Sequence, residues 1–484
     1  MKLFQKEGLS GKNIPLLLLL AAGIMEFLMI TLERRFSSVA YYLTETYLIV
    51  PCLLFLGCIL RDEMTTFARR RFLLSLAAVA WFVAVQIQHR LSGMENHPMV
   101  TVFFVYLMAF PFASSTEDRN DTGIRWIGML LVSASLVLAG YSLLLVLDWV
   151  PEGMQEVLYW DGARLHALWH PNISACYFMI GIGFCAAFCA RVEKSWGKAA
   201  LLAAVAVQFL AMSLTNCRTM LLMTGALFGG IAFFRIFRGG WKRLIPGLLA
   251  AAVLFAGSFK LSDGVFRWNN DRLVAALHSA QEETAVHSPV QEASAVEAVL
   301  TEDPATGQNV MTAEDAFVET VPAVDDTGVI SGDNPQGTLA NDLRTLNGRT
   351  IIWRSALKAV RDNRTLALWG TEYSGTVVSV YNPFEVVHGH NSWMEALLRL
   401  GIPGLLLSLA FTVVSLRSAV GLLLSRNTDM WKKTIAMTTL CVMVAGFLEP
   451  YLFITNVYYH IPDFVFFFCT GYLDFWHKQN RKTA

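Results

Sequence analysis

Long apolar runs separated by short polar connectors constrain this chain more than any other feature of its sequence. Each run is long enough to cross roughly 30 Å of hydrocarbon as a helix. The runs lie at residues 14–32, 41–60, 72–90, 98–113, 124–147, 172–190, 198–215, 219–236, 244–259, 393–416, 433–449 and 457–475. Hydrophobic residues make up 55% of the 484 residues and charged residues only 16%, unlike the balance in soluble domains. We therefore predict an all-α polytopic membrane protein of about twelve transmembrane helices.

The connectors predict how these helices are oriented, because short loops rich in Lys and Arg stay in the cytoplasm. Such loops alternate with loops that carry few basic residues, and Arg34 and Arg35 are the chief exception. Both termini are therefore predicted to be cytoplasmic. The first run follows three lysines, as a secretory signal would, but many equally apolar runs follow it, so we interpret it as a retained helix. The predicted cytoplasmic connectors contain Arg61, Arg69, Arg70, Arg71, Arg119, Arg125, Arg191, Lys194, Lys198, Arg235, Arg238, Lys242, Arg243, Arg417, Arg426, Lys432, Lys433, Lys478, Arg481 and Lys482.

The chain divides into a membrane domain at residues 1–259 with spans one to nine, an extracytoplasmic loop at 260–392, and a membrane domain at 393–484 with spans ten to twelve and a cytoplasmic tail. Residues 273–343 contain no Lys or Arg and show no helical or strand period. This composition predicts a solvated, disordered acidic insertion.

An amphipathic helix is predicted near residues 347–362, after the acidic insertion. Its apolar face carries Arg349 together with Ile352, Trp353, Ala356 and Val360. An arginine on the buried side of a helix needs a partner to offset its desolvation. A structural carboxylate or a ligand phosphate could be that partner.

The segment before the tenth span reads His388-Gly-His390-Asn391-Ser392, and Glu395 follows three residues later. Ser392 and Glu395 have the spacing of a capping box. His390 and Asn391 would then stand just outside a helix N-terminus, which favours an anion. His390 is also a candidate base near neutral pH, although a histidine here can equally be a polar anchor.

Two further arginines are predicted on the same side of the membrane as Arg349. Arg164 precedes the tripeptide His170-Pro171-Asn172, in which Pro171 suits a helix start with Asn172 or His170 as cap. The same polar and aromatic residues could instead line a sugar site. Arg218 lies in a turn so short that its guanidinium must sit at or below the outer interface, either by snorkelling or for function. Three guanidinium groups on one face suit a diphosphate.

All eight cysteines lie in or at the ends of apolar runs, without a disulfide framework or a CxxC zinc pattern. We also find no DxD-type metal motif close to the membrane. The formal net charge is +0, and no nucleic-acid partner is expected.

Taken together, these motifs resemble the O-antigen ligase/polymerase superfamily of bacterial envelope glycosyltransferases. The resemblance covers roughly residues 150–415 and is carried by the HPN element, by Arg218, by the helix at Arg349–Trp353, and by HGHN followed by a membrane helix with Gly401-Ile-Pro-Gly404. The acidic insertion, and the residues before Arg218, depart from the usual pattern.

The resemblance implies a GT-C-like glycosyltransferase in the bacterial cytoplasmic (inner) membrane, with its active face extracytoplasmic. It implies metal-independent transfer of a glycan, without cofactor, from an undecaprenyl-diphosphate donor to a hydroxyl of a glycan, lipid or wall acceptor. Arg218 and Arg349 would bind the diphosphate and His390 would activate the acceptor. Membrane lipid is a further expected partner. Residues expected to contact donor or acceptor are Arg164, His170, Asn172, Trp353 and Asn391.

Three alternatives remain open at this stage. A polymerase of lipid-linked repeat units would share the ligase motifs, and the sequence does not separate the two. A secondary transporter or flippase would also suit twelve spans, although the spans are mostly apolar at their centres and show no internal repeat. A sensor or assembly protein would use the acidic loop to bind a cationic partner.

Overall fold

The computed structural model describes residues 66–92, 121–147, 149, 160–161, 164–165, 171–237, 240–287, 349–371, 374–381, 389–453 and 460–483. Twelve α-helices and one short strand pair lie within these residues. They are, in chain order, α1 (Thr66–Leu91), α2 (Thr122–Val146), β1 (Trp160–Asp161), β2 (Arg164–Leu165), α3 (Pro171–Arg191), α4 (Ser195–Leu214), α5 (Arg218–Phe237), α6 (Leu244–His287), α7 (Arg349–Asp362), α8 (Arg364–Trp369), α9 (Ser374–Ser379), α10 (Ser392–Leu424), α11 (Met430–Ala445) and α12 (His460–Thr483).

Seven of the described helices are long and apolar enough to cross a membrane, namely α1 to α6 and α10. The predicted spans at 14–32, 41–60 and 98–113 lie outside the described residues. Helix α11 covers residues 433–445 of the predicted span at 433–449, and α12 covers residues 460–475 of the one at 457–475. However, α11 has only 16 residues and α12 mixes ionisable with apolar side chains. The protein is thus an all-α polytopic membrane protein, and the count of twelve spans stays a prediction.

Helix α3 forms the centre of the bundle and contacts α2, α4, α5, α11 and α12. It is apolar on all sides, as expected for a helix surrounded by others. Helix α6 lies at the periphery instead, with exposed Ile245, Leu249 and Val253. Because exposed apolar side chains suit lipid, α6 borders the bilayer in this arrangement.

Helix α10 is broken at Gly401, where φ is 68°. The break lets the carbonyls of Ala367 and Leu368 in α8 approach the backbone of Gly401 closely. It also leaves the carbonyl of Leu400 available, and the indole Nε1 of Trp81 donates to it at 2.8 Å. The kink therefore joins α1, α8 and α10.

Within the described residues, connectors from different parts of the chain meet at each end of the bundle. At one end the Asp121 carboxylate accepts from Arg191 Nη2 at 3.0 Å and from Trp476 Nε1 at 2.9 Å. The Arg191 guanidinium also lies 4.9 Å from the ring centroid of Trp431. The segments around Arg164 and Tyr451 meet at the other end. Which end faces the cytoplasm stays a prediction from the Lys and Arg distribution.

The prediction of a disordered insertion from residue 273 is wrong for residues 273–287, because α6 continues without a break to His287. Ala, Leu, Gln and Glu dominate this stretch, and these residues have high helix propensity. An existing helix extends at little cost because its nucleus is already formed. Residues 288–343 lie outside the described residues.

We expect Gly401→Ala to lower the thermal unfolding temperature, because a Cβ there would collide with the Leu368 carbonyl and φ is positive. The cost is about 1–3 kcal/mol for the backbone conformation alone. Gly140→Ala, in α2 with nothing near its Cβ position, is the control and should be neutral or slightly stabilising. Circular dichroism of the purified protein in detergent measures both, and equal unfolding temperatures would contradict the importance of the kink.

Candidate active site

A buried carboxylate, Glu449, lies where the chain turns after α11. Its side chain is only 6% exposed. It accepts a hydrogen bond from Arg349 Nη2 at 2.5 Å and another from Asn172 Nδ2 at 3.2 Å. Sequence reasoning missed Glu449, although a glutamate at the end of a predicted span was a usable signal.

Arg349 begins α7, and its predicted place on the apolar face is confirmed. Ile352, Ala356 and Val360 of the same face are buried against α10 and its neighbours. The partner that Arg349 required is a structural carboxylate, since the Arg349 side chain is 15% exposed and paired with Glu449. Such a pair is favourable only when further hydrogen bonds complete it.

Asn172 connects this ion pair to Arg164. Its Oδ1 accepts from Arg164 Nη2 at 3.2 Å, while its Nδ2 donates to Glu449. Arg164 also donates through Nε to the carbonyl of Thr215 at 3.1 Å. The Tyr451 hydroxyl donates to the main-chain carbonyl of Asn172 at 3.0 Å. Four chain segments distant in sequence thus share one hydrogen-bond network.

The expected helix start at Pro171 is confirmed, but Asn172 is not its cap. Asn172 lies within the first turn of α3, so its side chain points away from the capping position and reaches Arg164 and Glu449. His170, the other candidate cap, lies outside the described residues.

Arg218 is the first residue of α5 and follows the tight turn formed by Thr215, Asn216 and Cys217. The predicted short turn is confirmed, and Asn216 has a left-handed backbone with φ of 49°. Arg218 is half-buried and near enough to Arg164 for their charges to repel. Arg164, Arg218, Arg349 and Glu449 are named here the arginine cluster. Within it Arg349 pairs with Glu449, and Asn172 joins that pair to Arg164.

The HGHN segment meets the arginine cluster through Ser392. The Ser392 hydroxyl donates to the Glu449 main-chain carbonyl at 3.1 Å and accepts from the Leu452 amide at 3.0 Å. Its own amide donates to the Gly446 carbonyl at 2.8 Å. The start of α10 is thereby fastened to the turn that carries Glu449.

The predicted capping box is wrong, because Asn391 rather than Ser392 caps α10. Asn391 Oδ1 accepts from the amides of Trp393 and Met394 at 2.9 and 3.0 Å, and its Nδ2 donates to the Phe447 carbonyl at 2.9 Å. Glu395 reaches back one turn further than a capping box would, and accepts from the Gly389 amide at 2.7 Å. Asparagine at the cap leaves the Ser392 hydroxyl available for Glu449.

His390 stands between two fixed residues. Trp353 Nε1 donates to the Gly389 carbonyl at 3.1 Å, and Asn391 is held by the cap. His390 itself is half-buried and has a left-handed backbone with φ of 48°. Such a conformation is costly for a residue other than glycine and is concentrated at functional sites.

A family model of O-antigen ligases matches residues 203–409. Over this segment the chain is similar to the O-antigen ligase family. No curated protein and no solved structure matches the chain.

The segment matched to the O-antigen ligase family contains Arg218, Arg349 and His390. Arg164, Asn172 and Glu449 lie outside it, on either side. The carboxylate that holds Arg349 and the amide that joins it to Arg164 are therefore contributed by parts of the chain beyond the matched segment.

We expect Glu449→Gln to destabilise the protein, because it leaves the mostly buried Arg349 without its negative partner, at a cost of about 3–5 kcal/mol. Asp263→Asn is the control, since Asp263 and Arg267 form an exposed pair and its loss should cost at most about 1 kcal/mol. Thermal unfolding of the purified variants measures both.

The double variant Arg349→Gln/Glu449→Gln should recover part of the lost stability. If Glu449→Gln and Asp263→Asn lose equal stability at neutral pH, the ion pair does not support the fold.

Proposed function

We propose that this protein is a member of the O-antigen ligase family that transfers a glycan from an undecaprenyl-diphosphate donor to an acceptor hydroxyl at the outer face of the cytoplasmic membrane. The observation that carries the proposal is the arginine cluster, in which Arg349 pairs with Glu449, and Asn172 joins this pair to Arg164. Arg218 lies near enough to Arg164 for their charges to interact. Guanidinium groups gathered at one end of the bundle suit the diphosphate of the donor.

In the proposed reaction the acceptor oxygen attacks the anomeric carbon of the donor sugar. The bond between that carbon and the phosphate oxygen breaks, and the lipid diphosphate leaves with its bonding electrons. Negative charge grows on the leaving oxygen, where the guanidinium groups of Arg218 and Arg349 stabilise it. Because fixed guanidinium groups supply this charge, the proposed transfer needs no divalent cation.

His390 accepts the proton of the acceptor hydroxyl in the proposed reaction. Two observations support this role. The left-handed backbone of His390 is flanked by residues that hydrogen bonds hold in place, Gly389 through its carbonyl and Asn391 through its side chain. Ser392, two residues further on, touches the Glu449 backbone and so brings the HGHN segment to the arginine cluster.

Asn172 and Glu449 position the arginines rather than contact the reacting atoms. Asn172 fixes Arg164, while Glu449 fixes Arg349 and limits the repulsion among the three cations. Trp353 positions the Gly389 carbonyl and Asn391 caps α10, so both serve the orientation of His390.

The test is glycan transfer from undecaprenyl-diphosphate donor in a host that lacks its own enzyme. Arg218→Ala, Arg349→Ala and His390→Ala should each lose about a hundredfold or more in rate, as removal of transition-state stabilisation does. Wild-type activity should persist in chelator. Expression of every variant is verified in membrane fractions.

Matched controls come from the same helices. Arg361 lies on the exposed face of α7 that is opposite Arg349, and Arg235 lies at the far end of α5 from Arg218. Alanine at either position should leave transfer within a few-fold of wild type. If Arg349→Ala transfers as well as Arg361→Ala, the assignment of the diphosphate site is wrong.

The length of the product separates the two activities within the proposal. A ligase transfers one finished chain to a lipid, glycan or wall acceptor, whereas a polymerase lengthens the lipid-linked glycan itself. A single transferred chain with no lengthening of lipid-linked glycan would establish the ligase activity.

A further inference from the structure

Exposed apolar side chains form a stripe along α10 after its break at Gly401. The residues from Ser392 to Leu400, before the break, are buried or half-buried. The stripe extends over roughly 33 Å to the end of the helix, which is close to the thickness of a hydrocarbon core. The boundary of the hydrocarbon at this end of the bundle therefore lies close to Gly401. The stripe consists of Ile402, Leu406, Leu409, Val413, Leu416, Val420 and Leu424.

Helix α8 lies at this boundary. The main-chain carbonyl of Leu368 packs against the backbone of Gly401, and the Leu368 side chain is 47% exposed. The next residue, Trp369, stacks on Trp81 of α1 with ring centroids 5.2 Å apart and ring planes 7° apart. Tryptophan is enriched where a membrane meets water. The chain between α7 and α9 thus reaches the membrane, although the sequence placed it in an extracytoplasmic loop.

The exposed side of α7 and α8 carries cations among apolar side chains. Asp362 is the one acidic residue between Arg349 and Trp369, and it pairs with Arg361 at 3.0 Å. The remaining exposed cations of the two helices therefore keep a positive charge. The exposed members are the cations Arg354, Lys358 and Arg364 and the apolar residues Ile351, Leu357 and Leu368.

A helix with cations and apolar side chains on one exposed side is suited to the interface of a bilayer. Its apolar side chains enter the acyl region, while its long basic side chains extend to the phosphates. We propose that Arg354, Lys358 and Arg364, named here the basic face, bind the phosphates of anionic phospholipids in the leaflet at the arginine cluster's end of the bundle. In the predicted orientation this is the outer leaflet. The inference does not depend on the proposed transfer reaction.

The acidic stretch at residues 288–343 is a competing partner for the same cations, because it contains no Lys or Arg. Charge alone would match it to the basic face. It would not explain why α8 lies at the hydrocarbon boundary, nor why Leu357 and Leu368 are exposed beside the cations. A phospholipid explains both, because it offers an anionic head group and an apolar tail to the same surface.

Lipid binding at the basic face has a consequence for Arg349. Arg349 begins α7, and Arg354 follows it by little more than one helical turn. The opposite side of α7 is packed against α10 through Ile352 and Ala356. Phospholipid on one side and α10 on the other therefore set the height at which α7 presents Arg349 above the membrane.

The test is labelling of the purified full-length protein in detergent by phosphatidylglycerol with a photoreactive head group, supplied below saturation. Label on residues 349–371 is quantified by peptide mass spectrometry. The variant Arg354→Gln/Arg364→Gln should lose about twentyfold of this label, at about fivefold for each cation. It should fold, because both side chains are exposed. Lys358 is left unchanged because its Nζ also lies 5.2 Å from the ring centroid of Tyr381.

Two controls separate charge from other effects of substitution. Arg354→Lys/Arg364→Lys keeps both charges and should retain the label within a few-fold, because an ammonium also binds phosphate. Arg267→Gln removes an exposed arginine of α6 outside the basic face and should leave the label on residues 349–371 unchanged. Loss in the glutamine variant together with retention in both controls would support the proposal.

Three other results would overturn the basic face as a phospholipid site. The first is equal labelling of residues 349–371 by a photoreactive phosphatidylcholine, which carries no net charge. The second is unchanged labelling of the glutamine variant. The third is labelling that appears only after the acidic residues of 288–343 are changed to Gln and Asn, which would show that the acidic stretch occupies the basic face. None of these results bears on the proposed transfer reaction.

Discussion

The ion pair between Arg349 and Glu449 is the interaction on which one end of the helix bundle depends. It joins the helix that follows the acidic insertion to the turn that follows α11, one hundred positions later in the chain. Asn172 extends it to Arg164, and Ser392 extends it to the HGHN segment. A buried charge is tolerated only with a partner of opposite charge and further hydrogen bonds. Displacing any one of these segments would leave a buried polar group of another segment without its hydrogen-bond partner.

Contacts along the rest of the helix bundle support the end that carries the arginine cluster. At the opposite end of the bundle, Asp121 holds α3 and α12 together through Arg191 and Trp476. In between, α3 is surrounded by other helices and offers no polar face. The break at Gly401 lets α8 pack on α10, which supports α7 and with it Arg349. Positions of the cations are therefore set by packing across the whole bundle, and not by the loops alone.

This arrangement has a chemical consequence for the O-antigen ligase family segment. The guanidinium groups of the arginine cluster lie in a site from which water is partly excluded, where electrostatic interactions are stronger than in bulk water. Preorganised guanidinium groups need not move as charge develops on a leaving group.

The sequence by itself determined the membrane class, most of the helices that the structure describes, the amphipathic face of α7, the short turn before Arg218 and the resemblance to O-antigen ligases. These features depend on local periodicity and on the length of apolar runs. Both can be recognised within a single segment of the chain, without knowledge of its neighbours in space. It could not identify Glu449 as the partner of Arg349, nor Asn391 as the cap of α10. It also did not predict that Asn172 bridges two charges, or that α6 extends to His287. Only the tertiary structure decided these points, because a buried polar group bonds with whichever partners the packing of distant helices brings within reach.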